Sequence, residues 1–256
     1  MSLIKPSKEM NLTNKRVLIT GGSIGIGLEM ARKISEEGAK VMICARSLAP
    51  LEDARKAYPS LSIAQCDVTQ LDQVKDLLKE VRSQLGGIDV LINNAAVFRR
   101  FNILEGYPLQ KQLEEIDINL KGPIQVTNVF LEELMDSPES MIVNLTSPSA
   151  YMPMAASQIY SATKSAIQSW TRSLRHQLRA TSVKVVELNP PAVNTRMNSN
   201  NPDLGNMKLM PAEKFAELAV KGIKKGREEI LISHAGIMKN MSRIVPGLAF
   251  RMINRT

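Results

Sequence analysis

The chain has 256 residues, 44% hydrophobic and 23% charged, enough for one large core of the ordinary globular kind. No run reaches about 18 consecutive apolar residues, so no membrane-spanning helix is expected, and two cysteines cannot build a disulfide framework. The net charge of +8 suits an anionic partner, but with aromatics at 4% and scattered basic residues it argues against nucleic acid.

Residues 1–14 read as a polar N-terminal extension without the apolar core of a signal peptide, which predicts a cytoplasmic protein. Residues 16–20 form the first strand-like run, and Thr20 to Gly27 follows as TGGSIGIG. Met30, Ile34 and Ala39 then mark a helix, and 40–45 and 62–66 mark two further strands that carry Cys44 and Cys66 as buried free thiols. Val74, Leu77, Leu78 and Val81 recur at helical spacing before a fourth strand at 90–95. A long helical segment spans 109–135, then come a strand at 141–146, a helix at 162–178, a strand at 183–188, a helix at 212–225 and a last strand at 229–233. The strand interiors are continuously apolar, as in strands covered on both faces. This alternation predicts one α/β domain over 1–256, with a seven-stranded parallel sheet between two helical layers. No metal-ligand spacing occurs, so no metal is expected.

Four glycines in the eight residues 20–27 need explaining. Between a strand and a helix, such a turn suits a dinucleotide pyrophosphate, because free N–H groups and the helix dipole there meet negative charge. Gly21 would allow the tight turn, Gly25 the approach of the phosphates, and Gly27 the close packing of helix on strand. The spacing departs from the G-x-G-x-x-G fingerprint, so the turn alone leaves a plain β–α connection open.

Three later stretches narrow the choice: Asn93-Asn94-Ala95-Ala96 ends the fourth strand, Ser147 follows the fifth, and Tyr160-Ser161-Ala162-Thr163-Lys164 opens the next helix. With residues 20–27 they resemble the short-chain dehydrogenase/reductase family in its single-domain branch. Pro190-Pro191-Ala192-Val193-Asn194-Thr195, with Tyr151-Met152-Pro153-Met154, resembles a bacterial subgroup called DltE-like. The resemblance implies a three-layer Rossmann fold and hydride transfer between a nicotinamide and a carbonyl or secondary alcohol. It also implies Tyr160 as general acid/base, Lys164 as its partner on the cofactor ribose, Ser147 as the donor to the substrate carbonyl, and Asn119 as the residue that kinks the long helix and holds a relay water. Thr146 and Ser149 carry rival hydroxyls beside Ser147. Lys164 lies one helical turn from Tyr160. A cation roughly 4 Å away at an effective dielectric near 20 is worth about 4 kcal/mol, enough to bring a phenol from about 10 to near 7.

Cofactor contacts implied by the resemblance are Gly21, Ser23, Gly25, Ile26, Gly27, Asn93, Ala95, Pro190, Val193 and Thr195, with Tyr160 and Lys164, and Asp67 and Val68 at the adenine. Enzymes preferring NAD place a carboxylate after the second strand. Ala45 stands there instead, followed by Arg46 and Ser47, which suit a 2′-phosphate and predict NADP(H). Ala96 and Pro191 replace the family's usual glycines. Residues 196–211, with Met197, Met207 and Met210, read as a pliable lid over a substrate of some apolar bulk. Arg99 and Arg100 are candidate cations at the mouth, with solvated charges as the alternative.

The family's long helices imply a homodimer or homotetramer. Residues 235–256 carry Lys239, Arg243, Arg251 and Arg255 among apolar residues, with Pro246-Gly247 as a break, a composition suited to an anionic membrane surface or to packing over the site. A non-catalytic, cofactor-sensing protein on the same fold is the alternative class, although Asn119, Ser147, Tyr160 and Lys164 are all present.

Overall fold

The structure is a computed structural model that describes residues 9–198 and 209–254. Seven parallel strands lie in the order β3-β2-β1-β4-β5-β6-β9. They are β1 (Arg16–Thr20), β2 (Lys40–Ala45), β3 (Ser62–Gln65), β4 (Val90–Asn93), β5 (Ser140–Leu145), β6 (Val183–Asn189) and β9 (Glu229–Leu231). All seven match the predicted runs to within a residue or two at their ends. Val17, Leu18 and Ile19 of β1 pair with Val41, Met42 and Ile43 on one side and with Val90, Leu91 and Ile92 on the other. The order in which successive strands are added therefore reverses between β1 and β4, the switch point at which open α/β sheets leave a crevice.

Both faces of the sheet are covered, which is why the strands read as unbroken apolar runs. On one face Ile19, Ile43 and Val143 meet Met30 and Ile34 of α1 (Gly25–Glu36), Leu51 of α2 (Leu48–Ala57) and Phe215 of α7 (Ala212–Lys224). On the other, Leu18, Leu91 and Ile142 meet Val74 and Leu77 of α3 (Leu71–Leu85), Phe130 of α5 (Gly122–Asp136) and Leu174 of α6 (Gln158–Leu178). Each strand feeds side chains to the two cores alternately.

The predicted long helix is interrupted by a turn of different winding. α4 (Leu109–Ile116) runs into a π-helical turn at Asp117–Lys121, and α5 continues with Pro123 in its first turn. Asn119 sits in that turn. At the opposite end of the sheet, Asp89 binds the start of β1. Its carboxylate accepts from the Arg16 backbone N–H at 2.8 Å, from the guanidinium at 2.9 and 2.8 Å, and from the Ser137 hydroxyl at 2.8 Å. Burial pushes the Asp89 carboxyl up, but the bonds from Arg16 and Ser137 outweigh it and hold the group at about 2.

β7 (Val193–Asn194) pairs with β8 (Met210–Pro211) at the base of the expected lid. Met207 and residues 199–208 lie outside the described residues, as does Arg255 of the tail. The tail itself forms α8 (Ala235–Ile244) and α9 (Pro246–Ile253), divided where Pro246 begins the second helix. No described helix is long and apolar enough to cross a membrane.

Candidate active site

A groove of about 490 Å³ opens along the carboxyl ends of β1, β2, β4 and β5. Its floor is the turn between β1 and α1. Gly21 (φ +63°) and Gly25 (φ +59°) both take the left-handed conformation that disfavours side chains. A Cβ on Gly21 would lie 2.7 Å from the Ala95 Cα, so the turn is pressed against the end of β4. The Asn94 amide fixes that contact by donating to the Thr20 and Gly21 carbonyls, both at 2.9 Å. At Gly25 a Cβ would just touch the Thr195 methyl at 3.4 Å, so there it is the left-handed backbone rather than crowding that calls for glycine. Ile24 caps α1 without a side-chain hydrogen bond, which leaves the first helical N–H groups to whatever enters the groove. This cradle fits a dinucleotide pyrophosphate.

Gly21, Ser23, Gly25, Ile26, Gly27, Arg46, Ser47, Asp67, Val68, Ala95, Pro190 and Thr195 all line the groove, as do Ala96, Tyr160 and Lys164. Two expected contacts do not. Asn93 turns into the protein, donating to Thr127 Oγ1 at 3.0 Å and to Asn144 Oδ1 at 2.8 Å. Val193 is fully buried in the core beneath α7. In both cases the side chain points to the packed face of its strand.

Tyr160 and Lys164 lie in the first two turns of α6. Lys164 is 4% exposed, and its ammonium donates to the Leu145 carbonyl at 2.9 Å, with the nitrogen 5.6 Å from the centre of the Tyr160 ring. The three candidate hydroxyls differ in their surroundings, and Ser147 is the one that bears on the phenol. It favours the ionised form of the Tyr160 phenol, whereas Thr146 Oγ1 turns inward to Glu187 at 2.9 Å and the buried Ser149 Oγ has no partner. Asn119 donates to the Val97 carbonyl at 2.8 Å and to Thr163 Oγ1 at 3.3 Å, tying the π-helical turn to α6.

The electrostatics differ from the expectation of a phenol near 7. Burial pushes Tyr160 up, Ser147 opposes it, and the charge of Glu115 adds a smaller rise, giving about 12. Lys164 is buried too, and burial lowers it to about 8. The simple Coulomb argument omitted the loss of water around both groups, and it placed the ammonium at the hydroxyl rather than at the Leu145 carbonyl.

A wider depression of about 840 Å³ between α1 and α7 is lined by Arg32 and Glu213, which pair with each other at 2.9 Å. None of the residues predicted for the site lies there, so the larger hollow is not the candidate.

The family model for short chain dehydrogenases matches residues 15–204. The uncharacterized oxidoreductase DltE of Bacillus subtilis is 36% identical over 96% of this chain and 98% of its own length. The chain belongs to the short-chain dehydrogenase family. It is thus an oxidoreductase of CH–OH and carbonyl groups. An uncharacterized oxidoreductase of Staphylococcus epidermidis is 32% identical over 80% of this chain and 89% of its own. A short chain dehydrogenase from Burkholderia cenocepacia in complex with NADP shares the fold, with TM-score 0.84 at 21% identity over 95% and 99% of the two chains. A 3-ketoacyl-(acyl-carrier-protein) reductase from Brucella melitensis complexed with NADH gives 0.77 at 25% identity over 83% and 91%. Both neighbours bind a nicotinamide dinucleotide.

Within this short-chain dehydrogenase, two residues beside the site, Phe98 and Glu115, had no role assigned from the sequence. Phe98 sets its ring edge-on against Tyr160, with centroids 4.9 Å apart at 82°. Arg99, expected at the mouth, turns to Glu114 at 2.9 Å. Glu115 is buried beside the pair, and burial pushes its carboxyl up to about 7. The cysteines are buried free thiols as expected; the hydrogen bond to Cys66 and burial raise Cys44, which keeps it protonated.

Proposed function

We propose that this short-chain dehydrogenase is an NADP(H)-dependent oxidoreductase in which Tyr160 exchanges the proton. The observation that carries this reading is that Tyr160 and Lys164 line one end of the groove whose other end is the glycine turn after β1. The residues from Gly21 to Gly27, with Asp67, Ala95 and Thr195, would hold the dinucleotide, and Lys164 its nicotinamide ribose. A bound nicotinamide supplies or accepts the hydride. Ser147 donates to the carbonyl oxygen and stabilises the charge that develops there. Tyr160 gives its O–H proton to that oxygen in reduction and takes it back in oxidation.

The finer choice of NADP(H) rests on Ala45, which removes the repelling carboxylate, and on Arg46 at the groove edge. A substrate of some apolar bulk suits Met197 on the rim. The test is cofactor-dependent turnover across a panel of ketones and aldehydes, with Tyr160→Phe as control.

A cytoplasmic homo-oligomer fits the exposed Leu104, Leu109 and Leu113 around α4. A sedimentation run showing only monomer at micromolar concentration contradicts that. The tail helices are proposed to meet an anionic membrane surface. They expose Ile237, Ile244, Leu248, Phe250 and Met252, with Arg243 and Arg251 and no acid among them.

A further inference from the structure

Glu187 of β6 has no exposed surface and does not line the groove, yet it carries a carboxyl group. A buried carboxyl is tolerated only where donors meet it. Three donors converge here on one of its two oxygens. Oε1 accepts from Thr146 Oγ1 at 2.9 Å, from the Tyr151 hydroxyl at 2.8 Å and from the Gln168 amide at 3.0 Å. Oε2 is buried with no hydrogen-bond partner, so the side chain's bonding is directed to a single point. The three donors come from different pieces of chain. Thr146 directly follows β5, Tyr151 stands at the far end of the next turn, and Gln168 lies one helical turn beyond Lys164 on α6. Asn189, two residues on in β6, adds a bond from its amide to Thr146 Oγ1 at 3.1 Å.

Ser147 lies between the first two donors, inside a tight turn. The Ala150 N–H donates to the Ser147 carbonyl at 2.9 Å, and the Tyr151 N–H to the Pro148 carbonyl at 3.0 Å. Within that turn the Ser149 N–H donates to Ser147 Oγ at 3.2 Å. A hydroxyl has one proton and two lone pairs, so this amide occupies a lone pair and leaves the proton for a substrate oxygen. Where the Ser149 amide stands therefore sets how the Ser147 hydroxyl turns. The turn that carries that amide is tied at both ends to Glu187.

We propose that Glu187 is a positioning residue for Ser147: by holding Thr146, Tyr151 and Gln168 on one oxygen it fixes the turn 147–151 against α6, so that the Ser147 hydroxyl meets the substrate carbonyl where Tyr160 delivers its proton. The inference rests on the reading of Ser147 as the carbonyl donor and Tyr160 as the proton-exchanging group. A donor stabilises a developing oxyanion only from the right place, and a misplacement of about 1 Å can cost about a hundredfold in rate. Glu187 and Tyr151 need not touch substrate for this; they act through the turn.

Tyr151→Phe removes one hydroxyl from the cluster and keeps the ring, so it separates the tie from the packing. Turnover of a ketone that the wild type reduces is compared in wild type, Tyr151→Phe, Ser147→Ala and the double variant, with NADPH affinity alongside. Tyr151→Phe should lower kcat about tenfold and leave NADPH affinity within about twofold of wild type. Ser147→Ala should lower kcat about a hundredfold, and adding Tyr151→Phe to it should cost nothing further, because the group being positioned is gone. Amide exchange across 148–152, followed without substrate or cofactor, should quicken about tenfold in Tyr151→Phe while β5 exchanges as in wild type. Wild-type kcat in Tyr151→Phe, a loss that adds in full to that of Ser147→Ala, or unchanged exchange overturns the proposal. Undiminished turnover in Ser147→Ala overturns it as well, and is the one outcome that also removes Ser147 from the proposed chemistry. The exchange needs no turnover, so its result stands apart from a failure of the ketone panel.

Discussion

Arg46 shows how a single residue can be read correctly and still incompletely. Its position after β2, next to Ala45 and Ser47, is legible in the sequence. Its present partner is not: the guanidinium is 63% exposed and lies 3.4 Å from Glu114, 68 residues away. An exposed pair of that length is worth about 0–1 kcal/mol, and Glu114 has Arg99 and Lys111 besides. A 2′-phosphate therefore competes with a weak contact and offers a charge-assisted bond worth about 1.5–3 kcal/mol. NADPH should bind roughly ten- to a hundred-fold more tightly than NADH, and Arg46→Ala should erase most of that difference. Paired fluorescence titrations measure it. Equal wild-type affinities, or a preference that outlasts Arg46, would sink the NADP(H) assignment. Glu115 is the converse case. In Leu113-Glu114-Glu115-Ile116 two acids stand side by side, and only the packing of α4 on α6 makes one a surface ion-pair partner and the other a buried neighbour of Lys164.

At the scale of elements, the strands were legible because burial on both faces writes itself as continuous apolar runs. The turn after β1 was legible because its close approach to Ala95 requires glycine. α2 was not, since it buries only Leu51 and Ala54 and contains Pro50. The π-helical turn was expected only through the resemblance, as a kink at Asn119: Asn119 reaches Val97 and Thr163, contacts outside any local pattern. Asp89, likewise unremarked in the sequence, anchors β1 through Arg16. A carboxyl depressed to about 2, against about 3.9 when unfolded, stabilises the fold only while ionised. Its contribution of about 2–3 kcal/mol is complete above pH 4 and is lost as pH falls towards 2. Asp89→Asn should cost about that much in urea unfolding at pH 7, and the gap from wild type should close over that acid window. A gap that is the same at both ends assigns the loss to packing instead.

On the scale of the whole molecule, the catalytic and cofactor ends of one groove sit at the reversal of strand order, while the ion pair that anchors the sheet sits at the far end. The tail lies near the site side: Asn254 accepts from the Ala155 N–H at 2.6 Å and donates to the Pro153 carbonyl at 2.9 Å, just ahead of α6. An apolar, basic surface there would bring the groove close to a bilayer. Flotation should carry the protein up with anionic vesicles and not with neutral ones; equal behaviour removes the membrane reading and leaves the exposed apolar side chains to another copy of the chain. The account as a whole stands on Tyr160, and the most direct measurement is NADPH-dependent carbonyl turnover in Tyr160→Phe, set beside its NADPH affinity. The account predicts turnover abolished with affinity within about twofold of wild type, since the substitution removes one proton donor and little binding surface. A Tyr160→Phe protein that keeps more than about a tenth of wild-type turnover would contradict it.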